Sequence, residues 1–89
     1  MQYATTVDQV LTNTLDHVNR YHPRSYTMAD LTKPHDHDLN HDAYSACDSN
    51  GNFVGYCYGT HVAEAAQYAL DNAIPVHHFE WLYPQDTRD

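Results

Sequence analysis

The chain has 89 residues and a mass of 10.2 kDa, and its 12 Asp+Glu against 4 Lys+Arg leave a formal net charge of −8. A chain of this length buries roughly 60–65% of its unfolded surface, which allows one core and a single domain over 1–89 but neither a doubly wound nucleotide fold nor a TIM barrel. An apolar content of 42%, with three Gly and four Pro, excludes wholesale disorder.

The acidic balance speaks against direct nucleic-acid binding, which needs clustered Lys and Arg; Arg20, Arg24, Lys33 and Arg88 are scattered. It speaks equally against an anionic membrane surface. No stretch approaches the roughly 18 apolar residues of a membrane span, and MQYATTVDQV has no signal-peptide character, so a cytoplasmic location is expected. The eight His make the charge strongly pH-dependent between roughly 5 and 7.

Residues 6–21 carry Val7, Val10, Leu11, Leu15 and Val18 on one helical stripe. Thr6 with Gln9 fits a capping box, Asp8 suits the positive N-terminal end, and Pro23 stops the helix. Residues 24–31, RSYTMADL, alternate Tyr26 and Met28 with small or polar neighbours and are predicted as a strand, although Thr27 and Asp30 could open a helical turn. The polar loop 32–42 follows. Residues 30–50 hold five Asp and one Lys, half the net charge.

AYSACD and FVGYCYG flank Asn50-Gly51, the strongest short hairpin signal. A two-residue turn sets Cys47 opposite Val54 and Tyr44 opposite Cys57; a three-residue loop with a bulge sets Cys57 opposite Ala43. Either register holds the two thiols about 10–13 Å apart along the strands, beyond disulfide reach, so both are expected reduced and in the core.

Residues 60–73 read as a second helix, with Thr60 as N-cap and Val62, Ala66, Ala69, Leu70 and Ala73 buried. His61, Glu64, Tyr68 and Asp71 are assigned to its exposed side. VHHFEWLY (76–83) reads as a last strand, with Phe79, Trp81 and Tyr83 on one face and Val76, His78, Glu80 and Leu82 on the other. Residues 84–89 are predicted to fray. The sum is an α+β fold, α-β-β-β-α-β, with an antiparallel-rich sheet and two helices on one face.

In order, the first five elements resemble the double-stranded RNA-binding domain, with GTHVAEAAQYAL in the place of that family's second helix. That family grips phosphates with lysines at this helix start. The slots here hold His61, Val62 and Glu64, so the resemblance implies a topology and no RNA binding. The hairpin–helix run is similar also to HicB-like antitoxins.

His35, His37 and His41, interleaved with Asp36, Asp38 and Asp42, form the most suggestive cluster. Imidazole and carboxylate would suit Zn²⁺ or Ni²⁺ as a bound metal, against the plainer reading of a solvated acidic loop with no cofactor. His77 and His78 fall on opposite strand faces and so are not expected to share a site. No nucleophile–base pair stands at a recognisable spacing, and the chain is expected not to be an enzyme.

Eight Tyr against two Phe exceed what so small a core takes up, and the profile is that of an interface. The leading expectation is a protein-binding module that blocks a basic nucleic-acid-binding surface on another protein. Small acidic α+β proteins of this kind resemble the inhibitors, anti-CRISPR and anti-restriction proteins among them, that phages and mobile elements direct at host nucleases. In an extended loop Asp36 and Asp38 project to one side about 6.6 Å apart, positioned to pair with arginines. The partner surface is assigned to Asp30, Asp36, Asp38, Asp42 and Asp48 with Tyr44, Glu64 and Tyr68; a homodimer through the last strand is the other assembly considered.

Overall fold

A computed structural model describes residues 6–21, 25–34, 38 and 41–87. The element order is α1 (Val7–Tyr21), α2 (Met28–Leu31), β1 (Asp42–Cys47), β2 (Phe53–Cys57), α3 (Val62–Asp71), β3 (His78–Phe79) and β4 (Gln85–Asp86). Every strand pairing is antiparallel, and the fold is α+β as expected.

The predicted stripe and caps produce α1. Thr6 Oγ1 accepts from the Gln9 N–H at 3.2 Å while Gln9 Oε1 accepts from the Thr6 N–H at 3.3 Å, closing the capping box. Val10, Leu11 and Val18 are buried, and Arg20 pairs with Asp16 one turn earlier.

Of the expected strand 24–31, the described residues 25–31 form no strand. The backbone of Tyr26 is held by the side chain of Asn19, which accepts from its N–H at 2.6 Å and donates to its carbonyl at 3.1 Å. The Thr27 N–H donates to the Asp30 carboxylate at 2.9 Å, and one helical turn follows that buries Leu31 completely and leaves Met28 exposed. Local side-chain bonding thus outcompetes a weak alternation. With that strand gone, the likeness in order to the double-stranded RNA-binding domain lapses.

The hairpin combines the two expected registers. Tyr44 lies opposite Cys57 and Ala46 opposite Gly55, whereas Cys47 lies opposite Phe53, with a bulge between Ala46 and Cys47. In the turn Gly51, at φ 85°, supplies the left-handed residue, and Asn50 does not share it. Asp48 Oδ1 accepts from the N–H groups of Asn50 and Asn52, both at 2.9 Å. These bonds replace a two-residue turn by a longer loop with a bulge.

Both cysteines are free and buried. Burial pushes the Cys57 thiol up to about 12 and, with help from Glu80 and Asp48, the Cys47 thiol up to about 11. The expected result with a maleimide at pH 8 is no labelling of the folded protein and two labels per chain after unfolding in guanidinium, counted by mass; rapid native labelling would contradict the burial.

The N-cap of α3 is His61, whose Nδ1 accepts from the Glu64 N–H at 3.2 Å, in place of the expected Thr60. Thr60 contributes differently, donating its N–H to Glu64 Oε1 at 3.0 Å. Val62, Ala65, Ala66 and Ala69 face the core, and Leu70 is half-buried. Ala73, expected in the stripe, is exposed at φ 56° and ends the helix, where Ile74 donates to the Ala69 carbonyl. Gly59 lets this helix dock closely, since a Cβ there would stand 2.7 Å from the Ala65 backbone nitrogen.

The predicted strand 76–83 is broken. His78 and Phe79 pair with Cys47 and Ala46, the chain then leaves the sheet so that Leu82 turns into the core, and Gln85–Asp86 return to pair with Ala43 and Asp42. Residues 85–86, predicted within a frayed tail, are therefore a sheet strand. β1 lies between β2 on one side and β3 with β4 on the other. Tyr44, Ala46, Cys57 and Phe79 meet Val10, Val18, Leu31 and the Ala face of α3 in the core. Among the described residues no helix is long and apolar enough to cross a membrane.

Candidate functional site

The acidic stretch enters β1 at Asp42. Asp38 accepts at its carbonyl from the N–H groups of His41 and Asp42, and Asp42 Oδ2 accepts from the Asp38 N–H at 3.2 Å. This turn sets His41 Nε2 3.9 Å from Asp38 Oδ2. The C-terminal strand then closes over it. Thr87 donates its N–H to the His41 carbonyl at 2.7 Å, and Ser45 Oγ donates to Gln85 Oε1 at 2.9 Å.

That pairing puts Asp86 directly opposite Asp42. Like charges directly opposite each other across strands oppose pairing. Asp38, Asp42 and Asp86 thus converge on one end of the sheet, and Asp86 is the member the sequence did not reveal. Asp36, His35 and His37, assigned to the same loop, lie outside the described residues.

The remaining assigned residues are dispersed. Asp30 caps α2, Glu64 braces the start of α3, and Asp48 builds the hairpin turn. The N–H of Asn52, then that of Asn50, hold the Asp48 carboxyl below its ordinary value. Tyr68 is half-buried with its ring edge-on to Tyr58, centroids 5.7 Å apart. Tyr44 must be corrected: at 0% exposure its ring is core, edge-on to Phe79, and has no surface to offer a partner. Burial, then the charge of Glu64, pushes its hydroxyl up to about 12. Among the described residues the exposed aromatics are instead Tyr21, Phe53, Tyr56, Trp81 and Tyr83.

A second constellation joins distant parts of the chain. His17, on the last turns of α1, stacks on His78 with ring centroids 4.4 Å apart, and His78 Nδ1 lies 2.9 Å from His77 Nδ1. The expectation that His77 and His78 face apart fails because strand geometry begins only at His78, and His77 sits in a bend before it. The three imidazoles border a cleft of about 190 Å³ with Asp16, Arg20 and the hairpin tip. His78 is 6% exposed, and its Nε2 is buried with no hydrogen-bond partner. Burial first, then the charges of His17 and His77, push its pKa down to about 4, so it is neutral at pH 7. Sequence spacing carries no signal for this cluster, because α1 and β3 are brought together only by the core.

Among the described residues no three His, Cys, Asp or Glu converge as a metal-ligand set. Comparison with protein-family models, curated proteins and solved structures finds no match.

Proposed function

We propose that the protein is a non-catalytic binding module, acting in the cytoplasm, that occupies a basic nucleic-acid-binding surface of another protein. The closest functional class is the nuclease inhibitors carried by phages and mobile elements. The observation that carries this reading is the Asp42–Asp86 pairing beside Asp38. Like charges set opposite each other concentrate carboxylates at one end of the sheet, and a partner's arginines would complement them on binding. The wider surface agrees: the described residues hold ten Asp and Glu against only Arg20 and Lys33. Such a surplus steers association with basic surfaces and discourages binding to phosphate backbones.

The test is competition. The chain is titrated into complexes of a restriction endonuclease, and separately of an RNA-guided nuclease, with their DNA. Displacement of DNA and loss of cleavage are expected with a susceptible enzyme; formation of a ternary complex with DNA still bound would contradict occupation of the basic site.

A second reading, a Zn²⁺ or Ni²⁺ site in the 35–42 loop, draws on the proximity of His41 to Asp38. Calorimetry decides it: micromolar binding abolished by His35→Ala and His37→Ala favours a metal module, and no heat dismisses it.

A further inference from the structure

We propose that the cleft formed by His17, His77 and His78 binds a phosphate monoester dianion, with Arg20 and the imidazoles of His17 and His77 as its donors. This site is separate from the acidic end of the sheet. On a chain of net charge −8, the cleft gathers one of the two described cations and three of the eight His. Arg20 gives one N–H to Asp16 at 2.7 Å and keeps its other donors on an exposed side chain.

The role of His78 follows from its burial. It remains neutral, and its Nδ1 stands at hydrogen-bonding distance from His77 Nδ1. With the Nδ1 atoms of His77 and His78 engaged with each other, His77 is left its Nε2 for a ligand. His78 is in this sense a positioning residue. Its own Nε2 is buried and has no hydrogen-bond partner, so the ring is held by packing and by the contact with His77.

The charged and titratable groups around the cluster are Asp16, Arg20 and Tyr21 from α1, Asp48 and Cys47 from the hairpin, and His77 with His78 themselves. Asp16 and Asp48, with the surplus charge beyond them, exclude an extended polyanion and leave room for a small phosphate. Tyr21, exposed on the rim with its ring 5.1 Å from that of His17, offers a face on which a base can stack.

Imidazole nitrogen resonances followed by NMR test the proposal, with inorganic phosphate as probe and sodium chloride at equal ionic strength as reference. Saturable shifts at His17 and His77 are expected with phosphate and not with chloride. Arg20→Gln, on an exposed side chain, is expected to keep the fold and weaken binding about tenfold. Adenosine monophosphate and a phosphoserine peptide are titrated in parallel. Tighter binding of the nucleotide, lost in Tyr21→Ser, identifies a nucleotide as the source; equal binding of all three shows that only the phosphate is read. Shifts that chloride reproduces, or that Arg20→Gln leaves unchanged, would overturn the proposal, as would a response to Zn²⁺ with none to phosphate.

Discussion

Lowering the pH from 7.5 to 4 is expected to cost the fold about 3 kcal/mol through His78 alone. Its folded pKa lies near 4 against an ordinary 6.5, so between those two values the unfolded chain binds the extra proton. Stability from the neutral ring is therefore complete above about 6.5 and is lost as pH falls through 4, levelling off below it. A small domain is stable by roughly 5–15 kcal/mol, so the loss is a large share of the whole. The check is urea unfolding at each pH for the wild type and His78→Gln. The variant starts lower because it disturbs a packed site, but its stability should fall less between pH 6.5 and 4. Parallel curves, or a His78 resonance titrating near 6.5, would contradict the account.

Thr14→Val is expected to lower stability by about 2 kcal/mol. Thr14 is fully buried on α1, and its hydroxyl donates to the Val10 carbonyl at 2.7 Å while accepting from the Phe79 N–H at 3.0 Å. Valine keeps the shape and removes both bonds, leaving a buried N–H on β3 without its acceptor. Serine keeps the hydroxyl and gives up only a methyl, at a cost nearer 1 kcal/mol. Urea midpoints should rank wild type, then Thr14→Ser, then Thr14→Val, with unchanged slopes. Equal midpoints for the wild type and the valine variant would show that the helix does not depend on this bond.

These two residues also mark the boundary of what the sequence makes legible. The stripe from Val7 to Val18 and the Asn50-Gly51 signal are local patterns, and α1 and the hairpin follow them. The cysteine argument held because both registers kept the thiols apart. Elsewhere a local competitor or a distant contact decided. Asn19, Thr27 and Asp30 took the backbone of 26–31 out of any sheet, and Leu82 broke the last strand because the core needed its side chain. In the tail, where fraying is expected, Gln85 and Asp86 pair with β1. Of the candidate partner surface, Asp38 and Asp42 do come together. Asp30, Asp48 and Glu64 are engaged in caps and turns, a use of short acidic side chains that composition cannot distinguish from recognition. The histidine cluster was hidden entirely, since residue 17 meets 77 and 78 only through tertiary packing.

The central claim, that the acidic end of the sheet is built for a basic partner, has a direct measure in the salt dependence of binding to a nuclease that the competition assay identifies. The account predicts that affinity falls steadily with rising salt, and that Asp42→Asn with Asp86→Asn flattens the dependence while leaving the isolated fold equally or more stable. Affinity indifferent to salt, or a double variant that binds with the wild-type slope, would contradict it.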